Sequence, residues 1–309
     1  MEYRYFLAVA ETGSLAEASK RLHIATSAIS RQIVILEEHI GTKLFDRQAR
    51  GMYLTAAGHT LAEHAKRARL DDETVWVSIR DNDFSRARVI RLASTEGLSR
   101  YFLPKVMANF LKPTSEINFV ITVASPSDCI KMVNDGDADI GLIFSTAPIQ
   151  NIKIEYSCRS PICALMRIGH PLASSKQLSL ADLNAFPVAV TQQGTTQRQL
   201  FDLVCQMENL KFSEVLVCNY SGAIHEFVRQ TDAITLGSEI SHGGMHQDGL
   251  TSVNLTNFQL SQRDILVLTM PKRTLPPAVH DFLETLKSHL QLHGILRPDQ
   301  SKKHGGENS

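Results

Sequence analysis

Four apolar residues, Ile29, Ile33, Leu36 and Ile40, recur at intervals of four, three and four, and Gly41 follows directly. This is the period of an amphipathic helix with one stripe to cover, and the glycine supplies its stop. Upstream, Phe6, Leu7 and Ala10 share the buried side of a first short helix that Gly13 breaks. Ser14 with Glu17 three residues on has the form of a capping box and opens a second helix, burying Leu15, Ala18 and Leu22. A short turn through His23 and Ile24 then leads into the third. Two short helices, a tight turn and a third amphipathic helix predict a helix-turn-helix.

Opposite the stripe, Ser27, Ser30, Arg31 and Val34 share one side, with Ala25 and Thr26 at its N-terminal end. Short hydroxyls let a helix backbone approach phosphates and base edges, and an arginine can fork onto a guanine or hold a phosphate. A solvated polar face with hydroxyl caps fits the same pattern. In the segment KLFDRQARGMYLTAAG, residues 45–47 and 52–54 can pair about a turn containing Gly51, with Arg47 and Arg50 projecting. Next to a helix-turn-helix this reads as a wing on flanking phosphate; a plain surface hairpin is the alternative. Lys plus Arg and Asp plus Glu both total 32, so the whole chain carries no bias toward polyanions. Residues 1–69 hold ten Lys or Arg against seven Asp or Glu. So small an excess supports modest, salt-sensitive phosphate binding, and a dimer on two half-sites is expected.

The runs Phe6-Leu7-Ala8-Val9-Ala10, Gly13-Ser14-Leu15, Ala18-Ser19-Lys20-Arg21-Leu22 and Ser27-Ala28-Ile29-Ser30-Arg31-Gln32-Ile33 continue into Leu36-Glu37, Gly41-Thr42-Lys43-Leu44-Phe45-Asp46-Arg47 and Leu54-Thr55-Ala56-Ala57-Gly58. In this order and spacing the sequence resembles the LysR-type transcriptional regulators, and the remainder matches more loosely over its whole length. Three departures stand out. Ala18-Ser19 replaces the usual pair of alanines, Thr26 stands where glutamine is common, and residues 229–233 replace a stretch that is often glycine-rich. The resemblance implies a non-enzymatic, sequence-specific regulator of transcription that dimerises, and often forms tetramers, through a linker helix. The expected partners are double-stranded DNA, a small-molecule effector and the chain itself as homodimer or homotetramer, with RNA polymerase a candidate and no membrane.

The expected fold class is α/β: a winged helix-turn-helix over 1–58, a linker and dimerisation helix over 59–87, and an effector domain over 88–295. Thr55 can cap the linker. Positions 58, 61, 65, 68, 72, 75 and 79 read Gly, Leu, Ala, Ala, Asp, Val and Ile, a seam that suits a second helix or the helix's own domain equally. From residue 88, apolar runs alternate with helical patterns, predicting mostly parallel sheets in two halves, 88–160 with 265–295 and 161–264. The cleft between them follows the periplasmic-binding-protein-like pattern that the resembled family's effector domain shares. Residues 296–309 are polar and read as a disordered tail.

Ligands in open α/β folds sit at strand C-terminal ends, against helix N-termini. Those ends carry Ser94, Thr95, Ser99, Ser125, Ser127, Ser145 and Thr146 in one half, and Gln193, Gly194, Thr195 and Thr196 in the other. Hydroxyls and free N–H groups suit a small anion, an organic acid or amino acid, though the same residues cap helices and make turns everywhere. Arg100 can oppose an acid's charge or point to solvent.

Other chemistry is missing. Gly136 and Gly141 have P-loop spacing without the Lys-Ser/Thr pair, and there is no G-x-S-x-G elbow. His242 and His246, four apart beside Gly243-Gly244, read as a surface loop rather than a zinc pair. Neither metal nor cofactor is expected. Cys129, Cys158, Cys163, Cys205 and Cys218 include no C-x-x-C pair and fit free thiols in a reducing compartment, with Cys158 and Cys163 as packing groups. With no basic leader pattern or apolar span, the expectation is a cytoplasmic protein, and not an enzyme.

Overall fold

Ser14 accepts the Glu17 N–H at 3.4 Å, so the capping-box spacing does start a helix. In the computed structural model, residues 3–48, 51–80, 88–113, 116–242 and 249–293 are described, with the backbone alone for 73–74, 76–80, 88 and 293. The chain divides into two units, residues 1–84 with 272–274 and residues 85–271 with 275–309.

The first unit runs α1 (Tyr3–Thr12), α2 (Leu15–Leu22), α3 (Thr26–Ile40), β1 (Phe45–Gln48), β2 (Gly51–Leu54) and α4 (Ala56–Arg80). Its core gathers Phe6, Val9, Ala18, Ile29, Ile33, Leu36, Leu44, Phe45 and Met52. Ile40 does not join it. At 42% exposed, it lies on the last turn of α3, which runs past the edge of the core before Gly41 ends the helix in the left-handed region. His23, at φ 55°, closes α2. The Ser19 hydroxyl donates to the Ile24 carbonyl at 2.6 Å, so the serine that replaces the family's alanine ties the turn between α2 and α3.

Thr55 caps α4, accepting the Gly58 N–H at 3.0 Å while its own hydroxyl donates to the Lys43 carbonyl. Ala62 and Ala65 enter the core of the same unit and Leu61 packs against it, whereas Asp72 and Val75 are exposed. The predicted seam is thus divided: its start faces the helix's own domain, its later positions solvent, and the Ile79 side chain lies outside the described residues. A Cβ on Gly58 would stand 2.1 Å from the Leu44 carbonyl oxygen, so only glycine allows α4 this close to the chain entering β1.

The second unit has two halves. The first holds β3 (Arg88–Ser94), α5 (Glu96–Ser99), α6 (Phe102–Phe110), β4 (Ile117–Val123), α7 (Pro126–Asp135), β5 (Ile140–Ser145) and β6 (Lys153–Arg159). The second holds β7 (Cys163–Arg167), β8 (Val188–Thr191), α8 (Thr196–Met207), β9 (Glu214–Cys218), α9 (Ser221–Arg229), β10 (Thr235–Gly237), α10 (Glu239–His242) and β11 (Leu250–Asn254). β12 (Asp264–Thr269) and α11 (Pro277–His293) return to the first half. There the sheet order is β4-β3-β5-β12-β6 over a core in which Phe110, Phe119 and Phe282 meet with centroids 4.9–6.2 Å apart. Leu111 is exposed just beyond α6.

The sheets are more mixed than the alternating pattern predicts. β12 runs antiparallel to both β5 and β6, and β7 pairs antiparallel with β10 and β11. The chain returns from the second half at the C-terminal edge of β5, opposite Ser145, so β12 can enter only against the direction of its neighbours. The two crossing segments are joined where the Ser160 N–H donates to the Arg263 carbonyl at 2.8 Å. No helix among the described residues is long and apolar enough to cross a membrane.

Replacing Gly58 with alanine forces a backbone contact apart and is expected to cost about 1–3 kcal/mol. Thermal unfolding followed by circular dichroism should show the loss. An unchanged midpoint would mean that α4 can move off the β1 entry freely.

Candidate functional site

The inward turn of Ile29, Ile33 and Leu36 decides what α3 offers outside. Ala25, Thr26, Ser27 and Arg31 are exposed, and Ser30 and Val34 are half-buried beside them. Ala28 and Ile35 belong to the same outward side, Ile35 at 46% exposed, and the polar pattern alone did not single them out. The signal was positional: Ile35 lies one turn beyond Arg31. The N-cap residue of α3 is Ala25, and no side chain caps its first turn, in contrast to Ser14 on α2. A 15-residue helix therefore ends in donors and a partial positive charge next to three exposed small side chains.

The hairpin follows directly. β1 and β2 pair antiparallel, Arg47 opposite Met52, and Met52 N–H donates to the Gly13 carbonyl at 2.8 Å. Gly51, at φ 139°, comes so near Gly13 that an added Cβ would sit 2.6 Å from its oxygen. Arg47 is exposed; Arg50 lies outside the described residues.

One carboxylate joins the helix to the hairpin. Glu37, only 5% exposed, accepts the Leu44 N–H at 2.8 Å and the Phe45 N–H at 3.2 Å through Oε1, and Lys43 Nζ at 3.1 Å through Oε2. Burial by itself raises its pKa, but these three donors outweigh burial and hold it below its ordinary value of 4.5. Sequence reading passed over Glu37, because a glutamate on a charged helix resembles a surface residue.

In the second unit, the candidate cleft residues differ in what they do. Ser125 accepts the Asp128 N–H and contacts Ser127 and the Asp128 carboxylate, capping α7. Thr195 accepts the Arg198 N–H, capping α8, and meets Thr191. Ser145 closes a turn on Ala147. Gln193 donates to Asp202, Gly194 takes φ 99°, and Thr146 and Thr196 are exposed and half-buried. Ser94 is buried and, like Ser99, donates to the Thr95 carbonyl, while the buried Thr95 hydroxyl has no hydrogen-bond partner among the described residues.

Two contacts across the halves escaped sequence reading. Glu96 Oε1 accepts both the N–H and the hydroxyl of Ser221, at 2.8 and 2.7 Å, on the first turn of α9. Arg100 donates to His225 Nδ1 at 2.6 Å rather than pointing to solvent. Burial first, then the charges of Arg100, His242 and Arg229, lowers the His225 pKa to about 4, so this ring is a neutral acceptor near pH 7.

His242, expected in a surface loop, is buried at the end of α10; His246 lies outside the described residues. No cluster of metal ligands occurs among the described residues. Burial raises the thiols of Cys129 and Cys158 to about 11 and that of Cys163 to about 12, which disfavours the thiolate near neutral pH.

Comparison with known proteins covers both units. Residues 2–59 match the family described as bacterial regulatory helix-turn-helix protein, lysR family, and residues 85–291 match the LysR substrate binding domain. A probable nitrogen assimilation transcriptional activator of Synechococcus elongatus is 25% identical over 278 residues, 89% of this chain and 90% of that protein. The regulator ClcR of Pseudomonas putida is 36% identical over 142 residues, 45% of this chain and 48% of that one. Among solved structures, full-length CbnR complexed with its target DNA aligns with a TM-score of 0.54 at 20% identity, covering 93% of this chain and 98% of that one. A full-length OxyR variant from Pseudomonas aeruginosa gives 0.62 at 14%, covering 94% of each. At these identities the likeness is one of fold.

A carboxylate held below its ordinary pKa stabilises above that value and loses its contribution as pH falls through the folded one. Glu37→Gln should therefore cost about 1–2 kcal/mol at neutral pH, with the difference shrinking below about pH 4. Urea unfolding of both proteins at pH 7 and pH 3.5 checks this. An equal deficit at the two pH values would contradict an ionised clamp.

Proposed function

The chain belongs to the LysR family of bacterial helix-turn-helix regulators, and we propose that it reads duplex DNA through the Ala25–Val34 side of α3. It is a DNA-binding transcriptional regulator, not an enzyme, and its second domain binds a small-molecule effector. In this reading α3 enters the major groove with its uncapped N-terminus toward phosphate. Thr26, Ser27 and Ser30 permit close approach, Arg31 forks onto a guanine or holds a phosphate, and Val34 packs on the groove wall. Exposed Ile35 suits a thymine methyl. Arg47 and Arg50 hold flanking phosphate from the wing. The observation that carries the reading is the burial of Ile29, Ile33, Leu36 and Glu37 along one stripe, which leaves α3 no other side to present. CbnR, of similar fold, was solved with its target DNA, and that supports the assignment.

The protein works in the cytoplasm as a homodimer or homotetramer through the outer part of α4, where Asp72 and Val75 are exposed. The effector, an organic acid or amino acid, sits between the halves of the second unit, bounded by Ser94, Thr95, Ser99, Ser125, Ser127, Ser145 and Thr146 on one side. Gln193, Gly194, Thr195 and Thr196 bound it on the other. Binding there shifts the placement of the DNA-reading units and so their engagement with promoters and RNA polymerase.

A duplex enriched from a random pool by the wild-type chain supplies the probe. Arg31→Ala should lose about 1–3 kcal/mol of affinity for it in a gel-shift titration, at unchanged melting temperature, while Arg47→Ala lowers the salt slope by about one. Wild-type affinity in Arg31→Ala would refute the recognition-helix reading.

A further inference from the structure

Residues 41–44 carry the chain from the end of α3 to the start of β1. So short a connection has few ways to be held, and here one residue holds all of it. Five consecutive residues, 41–45, each donate a hydrogen bond to Glu37. The Gly41 and Thr42 N–H groups reach its carbonyl at 2.9 and 3.2 Å, which ends the helix. Its carboxylate then takes Lys43 Nζ on one oxygen and the Leu44 and Phe45 N–H groups on the other, which starts the strand.

This gathering fixes a direction that packing leaves open. Ile29, Ile33 and Leu36 seat α3 on the core, but apolar contacts do not dictate where the hairpin stands beside it. The other anchors of the hairpin lead away from α3. Met52 N–H donates to the Gly13 carbonyl, between α1 and α2, and the Phe45 ring packs on Phe6 of α1 with centroids 5.3 Å apart. Among the polar bonds of the described residues, those to Glu37 are the ones that tie the hairpin to the reading helix itself.

Arg47 comes two residues after Phe45, about 7 Å along the strand, and is exposed. A charge-assisted bond from an arginine to an anionic oxygen spans only about 2.7–2.9 Å. A small displacement where β1 begins is enough to lose it.

We propose that Glu37 is a positioning residue for DNA binding. By holding the entry of β1 on the inner side of α3, it places the wing arginine Arg47 in register with the groove that α3 occupies. The proposal rests on the wing reading above and deepens it. Glu37 is 5% exposed, on the side of α3 turned from the duplex, and acts through the Leu44 and Phe45 N–H groups. Its influence on binding therefore runs through Arg47 and leaves the contribution of Arg31 intact.

The test measures the salt dependence of binding by the full-length chain. The probe is the duplex enriched from a random pool by wild type, and the temperature is one at which circular dichroism shows each variant folded. Every Glu37 variant is made alone and combined with Arg47→Ala or Arg31→Ala. In the wild-type background Arg47→Ala lowers the salt slope by about one. Glu37→Met fills similar space without an acceptor; its slope should already be lower by about one, with no further change on adding Arg47→Ala. Arg31→Ala should keep its full effect on affinity there. Glu37→Gln retains an acceptor oxygen, covers the case of a Met variant that does not fold, and should show part of the same loss. A full Arg47 increment in the Glu37 variants that fold would overturn the proposal. Equal loss of the Arg47 and Arg31 increments would overturn it too, because a generally loosened domain gives that result. If Arg47→Ala leaves the wild-type slope unchanged, the wing reading itself fails and the proposal goes with it.

Discussion

A single buried carboxylate sets the geometry of the first unit. Glu37 lies on the inner stripe of α3, yet it is charged, and it is tolerated there because two backbone N–H groups and Lys43 close around it. Those N–H groups belong to Leu44 and Phe45, the entry to the hairpin, so one side chain fixes both the rotation of α3 and the start of the wing. Ile29, Ile33 and Leu36 supply burial but little direction, since apolar contact is indifferent to small rotations. Hydrogen bonds to an ion are not. Gly58 completes the arrangement by letting α4 lie against Leu44, the residue that Glu37 holds.

The second unit depends on a different constraint, the double crossing of the chain between its halves. Because β12 returns at the cleft edge, it must run against β5 and β6, and the residues flanking the crossing, Ser160 and Arg263, become the place where the halves are tied. Farther out, Glu96 on Ser221 and Arg100 on His225 bridge the same gap with polar contacts. These are exchangeable bonds: a ligand that supplies equivalent partners can replace them at small net free energy, whereas an apolar seam would resist opening. The halves are thus tied by a backbone hydrogen bond at the crossing and by polar side-chain contacts farther out.

Local signals were legible in the sequence, long-range ones were not. The Ser14–Glu17 spacing, the glycine stop at Gly41 and the Thr55 cap each involve atoms within a few residues, and the structure shows those bonds or backbone angles. Ile40 matched the stripe but stands exposed, because periodicity marks a face without saying where the core beneath it ends. Glu96 and Ser221 are 125 residues apart, as are Arg100 and His225, and no local pattern announces such a pair. The antiparallel entry of β12 was hidden for the same reason: an apolar run of this length predicts a strand but not its direction. Ser19 shows a departure from family pattern that proved informative, a hydroxyl bonded across the turn that alanine would leave unfastened.

The account stands on α3 turning its small, uncapped end toward duplex DNA. Amide hydrogen exchange of the full-length chain, with and without an enriched duplex, tests this most directly. The first-turn amides at Thr26 and Ser27 have no capping side chain and should exchange readily in the free protein, then slow markedly on DNA and recover as salt is raised. Unchanged exchange at those two amides in a protein saturated with duplex would contradict it.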